Sequence, residues 1–165
     1  MAYVSSVSNW GGRPGYRNAT SGGVWMLGEH CIKTWGSTQG AVALSSAEAE
    51  FYGMVEAVIK SKGLHCLATE LGFKDLSNVV NLNTDSSAAK SFVSRQGFGK
   101  MKHIEIRDMW LQKEVRDGRV VVQKIPGTQN PADLMTKILS TPEIMVRLSG
   151  MNVHGSFISG PIKDK

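Results

Sequence analysis

The stretch Ala41-Val-Ala-Leu-Ser45-Ser46-Ala47-Glu48-Ala49-Glu50-Phe51-Tyr52 does most to limit what this chain can fold into. It reads as the end of an apolar strand joined directly to the start of a long helix. Ser45 and Glu48 have the S-x-x-E spacing of a capping box, in which hydroxyl and carboxylate satisfy the free N–H groups of a helix start. Phe51, Met54, Val55, Val58 and Ile59 then recur at helical spacing, and Leu67 and Leu71 continue the stripe, which predicts a helix over 46–71. Gly63 is its weak point and Gly72 its natural stop. The cap accounts for Glu48. It leaves Glu50 with no structural task beyond favouring the helix macrodipole.

Upstream, 1–10, 21–27 and 31–35 read as strands, with turns at Gly11-Gly12-Arg13-Pro14-Gly15 and Gly28-Glu29-His30. Three strands in close succession imply an antiparallel meander. Downstream, Val79 to Leu82 is a buried strand ending at Asn83-Thr84-Asp85, followed by a short helix over 86–94. A helix over 102–116 places Ile106, Met109, Trp110 and Lys113 on one face. Asp117-Gly118 turns into a strand over 119–125. Asn130-Pro131-Ala132-Asp133 opens another helix, with Asn as N-cap and Pro at the first helical position. Thr141-Pro142-Glu143 starts a last short one. This order predicts one mixed α/β sheet with helices on its faces, as a single domain over 1–150 and a loosely held tail over 151–165.

The 165 residues suffice for one domain with a real core. No apolar run approaches the roughly 18 residues that span a bilayer, and no signal peptide is visible. Cys31 and Cys66 lack partners at metal-ligand spacing and read as reduced core residues, which suits an intracellular protein. The net charge of +5 fits a polyanionic partner without proving one. Its distribution is uneven: Arg95, Lys100, Lys102, His103 and Arg107 face a single acid, Glu105, across 95–107. That segment suits backbone phosphates or an ordinary solvated face. Trp10, Trp25, Trp35 and Trp110 read as core rather than stacking platforms.

Three acids stand out by position: Glu50 in the first turns of the long helix, Asp85 at the carboxyl end of a central strand, and Asp133 in the first turn of a late helix. Strand ends and helix starts on one sheet edge make the functional crevice of such folds. Carboxylates converging there would hold Mg²⁺, and two ions about 3.5–4 Å apart would suit phosphodiester cleavage. Each acid taken alone reads as readily as a structural residue, Asp85 as an N-cap and Asp133 as a dipole partner.

The blocks Thr20-Ser-Gly-Gly-Val-Trp-Met-Leu-Gly28, Trp35-Gly-Ser-Thr-Gln39, Val42-Ala-Leu-Ser-Ser-Ala-Glu-Ala-Glu-Phe51, Asn83-Thr-Asp-Ser-Ser-Ala-Ala89, Met101-Lys-His-Ile-Glu-Ile-Arg107 and Ile125-Pro-Gly-Thr-Gln-Asn-Pro-Ala-Asp-Leu-Met-Thr-Lys137 occur in this order. Together they resemble the ribonuclease H domain of copia-type (pseudoviral) LTR-retrotransposon polyproteins, over about 5–150. The resemblance implies a ribonuclease H-like fold: a five-stranded mixed sheet, its first three strands antiparallel, flanked by helices. It also implies Mg²⁺-dependent cleavage, with Mn²⁺ as a possible substitute, of the RNA strand of RNA–DNA hybrids during reverse transcription. A fused reverse transcriptase domain would be a partner, and a cytoplasmic particle or the nucleus the setting.

Carried over residue by residue, the resemblance puts catalytic and metal-binding roles on Glu50, Asp85 and Asp133. Lys100, Lys102, His103, Arg107 and Asn130 become candidate hybrid contacts, with capping the safer role for Asn130. One position departs from the pattern. The family's first-strand motif Ser-Asp-Ala-Asp-Trp-Ala-Gly aligns with Ser6-Val7-Ser8-Asn9-Trp10-Gly11-Gly12, so Val7 stands at the first aspartate and Asn9 at the second acid. Glu29, the nearest acid, falls in a hairpin turn expected to lie away from the site. The expectation is therefore a ribonuclease H with impaired activity. The alternative is a catalytically inactive hybrid-binding or structural module of a retrotransposon-derived polyprotein.

Overall fold

The computed structural model describes residues 1–10, 18–73, 76–97 and 109–154. Five strands, β1 (Ala2–Asn9), β2 (Thr20–Leu27), β3 (His30–Thr38), β4 (Val80–Thr84) and β5 (Val120–Lys124), form one sheet in the order β3-β2-β1-β4-β5. β1, β2 and β3 pair antiparallel, whereas β4 and β5 run parallel to β1. This is the mixed sheet expected from the strand-rich start and the alternating second half. The helices are α1 (Ser46–Glu70), α2 (Ser87–Val93), α3 (Trp110–Arg116) and α4 (Thr141–Gly150).

Side-chain alternation along the strands divides the interior into two layers. Val4, Trp25, Leu82 and Val120 face α1, where Phe51, Met54 and Val58 meet Phe92 of α2 and Leu111 of α3. The rings of Phe51 and Phe92 meet edge to face at 4.9 Å, a favoured aromatic geometry. Val7, Val24 and Met26 form a smaller cluster on the other face with Ala132 and Met151, beneath α4. β1 is central, so it is buried on both faces along most of its length.

Several expectations are corrected by this packing. Residues 41–45 are loop rather than strand, with Val42 47% and Leu44 64% exposed, because the sheet ends at Thr38. In α1 the predicted stripe holds only through Val58. Ile59, Leu67 and Leu71 are exposed, while Ser61 is buried and accepts a hydrogen bond from the Trp25 indole. A 25-residue helix is about 37 Å long and overruns the sheet that covers its first half. Gly72 ends it as expected, at φ +97°. In α3 the inward side chains are Leu111 and Gln112, and Lys113 points to solvent. Cys66 is exposed rather than core. Trp10 is half exposed, its indole N–H on the Ala43 carbonyl. Trp35 and Trp110 are partly buried beneath the ammonium groups of Lys60 and Lys62.

Glu114 ties three elements together. Its carboxylate accepts hydrogen bonds from Lys62 of α1 and from Arg119 just before β5, and Arg119 also pairs with Asp117 at 2.8 Å. The Arg119 and Lys62 cations hold the Glu114 carboxyl down to about 2. A carboxyl lowered on folding stabilises above its unfolded pKa, and the contribution is lost as pH falls through the folded value. Glu114→Gln should therefore cost at most about 1 kcal/mol at neutral pH. The wild-type advantage should vanish between pH 4.5 and 2 in urea titrations.

Candidate functional site

Glu50 stands in the second turn of α1, where the helix crosses the end of β1. The Ser8 amide donates to its Oε1 at 3.0 Å, and Oε2 has no hydrogen-bond partner among the described residues. Burial pushes the Glu50 carboxyl up to about 7. The Asp85 charge adds to the rise, while the Ser8 amide and the Lys137 ammonium oppose it. Glu48 is the structural acid, as expected. Ser45 accepts from the Glu48 amide at 3.2 Å, and the Glu48 carboxylate reaches back to the Leu44 amide and takes the Tyr52 hydroxyl. The second bond of the cap thus falls one residue before Ser45.

Asp85 follows the last residue of β4. The N-cap of α2 is Ser86, whose hydroxyl accepts from the Ala89 amide, so Asp85 carries no capping task. Its carboxylate lies against Gly127, where a Cβ would sit 3.1 Å from Oδ2. A bare glycine there leaves Asp85 room at the edge of the crevice.

Asp133 lies in a 3-10 turn over Pro131–Met135, not the α-helix expected from sequence. Asn130 caps this turn by accepting from the Ala132 amide, and its own amide donates to the Ser6 carbonyl of β1. Asn130 is fully buried and both ends of its side-chain amide are used within the fold, which gives it the capping task. The turn also sits on glycine. A Cβ on Gly22 of β2 would come within 2.7 Å of Thr136 Cγ2 and 2.8 Å of Met135 Cβ. Gly22 pairs with Gly36 of β3, making a flat seat for the turn. Gly22→Ala should overpack this seat and cost about 1–3 kcal/mol, read as a lower urea midpoint.

Two cations flank the Asp133 carboxylate. Arg147 of α4 donates to Oδ2 at 2.9 Å and Lys137 approaches Oδ1 at 2.7 Å. The Arg147 and Asp133 side chains are only 6% and 3% exposed. Neither partner was singled out from sequence. Lys137 had a signal, its i,i+4 spacing from Asp133. Arg147 had none, because its approach depends on how α4 docks.

Val7 stands on β1 one residue before Ser8, whose amide holds Glu50. Its side chain is buried against Val24 and Ala132. The β1–β4 register pairs Ser5 with Asn83, and continuing it by two residues sets Val7 level with Asp85. Asn9 donates its amide to the Thr136 carbonyl at 3.0 Å and is occupied there. Glu29 sits in the β2–β3 hairpin, at the opposite end of β1 from Val7 and Asn9, and gives no substitute. Lys100, Lys102, His103 and Arg107 lie outside the described residues.

The fold thus brings Glu50 and Asp85 together at one sheet edge and holds Asp133 nearby in ion pairs. A two-ion site needs several carboxylates with free oxygens. Here one position presents methyl groups and one carboxylate is already neutralised. Among the described residues no group of three or more His, Cys, Asp or Glu side chains converges as a metal site. The residues present do not fit a pair of divalent ions.

No protein-family model matches the chain. It is 30% identical over 138 residues to the retrovirus-related Pol polyprotein from transposon TNT 1-94 of Nicotiana tabacum, covering 82% of this chain and 10% of that protein. It is 29% identical over 139 residues to the Pol polyprotein from transposon RE2 of Arabidopsis thaliana, covering 84% of this chain and again 10% of the relative. The chain therefore spans about a tenth of the length of these curated relatives. Among solved structures, ribonuclease H1 from the halophilic archaeon Halobacterium salinarum NRC-1 superposes with a TM-score of 0.55 at 18% identity, over 81% of this chain and 92% of that one. A ribonuclease H1 isolated from compost superposes at 0.50 and 20% identity, over 81% of this chain and 91% of that one. These structural likenesses speak to the fold, and the sequence likenesses to its origin. The five-stranded sheet in the order 3-2-1-4-5, with sequence kinship to transposon Pol proteins across four fifths of the chain, identifies it as a ribonuclease H-like domain of the copia-type Pol polyprotein family.

Proposed function

We propose that this domain engages RNA–DNA hybrids as part of a retrotransposon polyprotein and hydrolyses their RNA strand weakly or not at all. The observation that carries the reading is Val7. A buried aliphatic side chain occupies the first-strand position beside Asp85, where a nuclease of this fold needs an oxygen ligand. In an active homologue Mg²⁺, or Mn²⁺ in its place, would activate water and stabilise the leaving oxygen. In this chain Glu50 and Asp85 are the carboxylates best placed toward such an ion, and the set is too small for the two-ion reaction. What this chain's own residues offer is a pair of carboxylates at the sheet edge and, in the sequence, a basic segment over 95–107 suited to phosphates.

Support for the hybrid as ligand comes from the domain family and that basic segment. A reverse transcriptase domain in the same polyprotein is the natural partner, and residues 1–150 form the functional unit. No helix among the described residues is long and apolar enough to cross a membrane. The deciding experiment pairs a binding assay with a cleavage assay on one labelled hybrid, in Mg²⁺ and in Mn²⁺. Binding with little or no cleavage is expected. Robust cleavage by the unmodified chain would mean that the first ligand comes from elsewhere.

A further inference from the structure

We propose that α4 is a strap fastened by Arg147, and that while docked it keeps divalent cations off Asp133. The inference goes beyond the hybrid-binding reading and does not depend on it. A surface helix normally seats itself by burying an apolar stripe. Of the ten residues of α4 only Arg147 is buried, while Met145 and Val146 are 46% and 60% exposed. Apolar hold is confined to the C-terminal end, where Leu148 and Met151 pack with Val7, Val24 and Met26. Beneath the helix opens a cavity of about 390 Å³, bordered by Tyr3, Ser5 and Asn83 of the sheet and by Val146, Arg147 and Gly150 of α4. The Ser5 hydroxyl on the sheet side has no hydrogen-bond partner among the described residues. The helix thus bridges a gap instead of filling it, and forgoes the dispersion contacts of a close-packed interface. The ion pair is what fastens it.

Arg147 joins two elements through its two terminal nitrogens. One donates to Oδ2 of Asp133 at 2.9 Å, and the other to the Glu143 carbonyl of its own helix at 3.2 Å. Both side chains of the pair are buried, so loss of either partner strands an uncompensated charge. A divalent cation at Asp133 would need the same carboxylate and would stand beside two positive charges, Arg147 and Lys137. Lys137 is 39% exposed and can turn to solvent. Arg147 can leave only if α4 lifts. Docked α4 and a cation on Asp133 therefore exclude each other, and this carboxylate is open to a cation only in the lifted form.

The test combines hydrogen exchange over 141–150, read by mass spectrometry, with Mn²⁺ binding read by electron paramagnetic resonance, both on the full chain. Arg147→Met and Asp133→Asn should each speed exchange over 141–150 about tenfold or more, while β1 and β2 stay protected. The double variant should exchange no faster than either single one, because both changes break one contact. Asp133→Asn should bind Mn²⁺ within about twofold of the wild-type Kd, whereas Arg147→Met should bind it about tenfold more tightly than wild type. Adding Asp133→Asn to Arg147→Met should cancel that gain. Wild-type exchange over 141–150 in Arg147→Met would overturn the proposal. So would exchange that rises throughout the sheet in both variants, since the pair would then belong to the global core. A loss of about tenfold in Mn²⁺ affinity for Asp133→Asn alone, or no gain for Arg147→Met, would overturn it equally.

Discussion

Val7→Asp should raise hybrid cleavage in Mg²⁺ or Mn²⁺ by about 100-fold or more over the unmodified chain, which corresponds to roughly 2.7 kcal/mol of transition-state stabilisation. The substitution places a carboxylate level with Asp85 and one residue before Ser8, whose amide holds Glu50. Val7 is 1% exposed and packed on Val24 and Ala132, so the new charge enters an apolar wall. A stability loss of about 1–3 kcal/mol should accompany the gain. Divalent ions should return part of that loss, since a ligand that binds only the native state stabilises it. A folded Val7→Asp protein that stays inert would show that the Asp133 ion pairs block the reaction independently. The double variant with Lys137→Met then separates the two causes.

Glu50→Gln and Asp133→Asn should move stability in opposite directions, although sequence alone assigns both acids to the same site. The Glu50 carboxyl titrates near 7 in the folded chain against 4.5 for the free group. The native state therefore keeps a proton that the unfolded state has lost between those values. Stability falls as pH rises through that window, by up to about 3 kcal/mol at pH 8. A glutamine keeps an oxygen for the Ser8 amide and removes the buried charge. Glu50→Gln should thus stabilise by about 1–3 kcal/mol at pH 8 and by almost nothing near pH 4.5. Asp133→Asn instead leaves Arg147 buried without its countercharge, a loss of about 3 kcal/mol. Urea unfolding at pH 5 and pH 8 reads both effects. A loss of stability in both variants at pH 8 would mean that Glu50 is held by more than the Ser8 amide.

The two acids differ because their partners differ in chain distance. Glu50 meets Ser8, 42 residues away, through one amide. Asp133 meets Lys137 one turn on and Arg147 fourteen residues on, across a turn and a helix. Of these three pairings only Asp133–Lys137, the i,i+4 contact, is a local regularity that a sequence displays.

Much of the fold was legible because it rests on local physics. The meander followed from three short strands separated by turn residues. The Ser45–Glu48 cap and the stop at Gly72 followed from the side-chain chemistry of helix ends. Where the sequence misled, tertiary packing had intervened. Ile59, Leu67 and Leu71 have helical spacing, but no sheet lies beneath them. Asp85 looks like an N-cap, but Ser86 takes that place one residue on.

The stretch from Ala41 to Tyr52 shows the same division. Its residue order alone determined that a helix begins after Ser45 and that Glu48 serves the cap, because both depend on groups within four residues. The sequence also showed Val7 where the resembled family carries an aspartate. What Glu50 faces was decided only by the tertiary structure. The register of β1 against β4 sets Val7 beside Asp85, and the docking of α4 brings Arg147 to Asp133. Those contacts join residues far apart in the chain, and their electrostatics depend on burial, which no local spacing encodes.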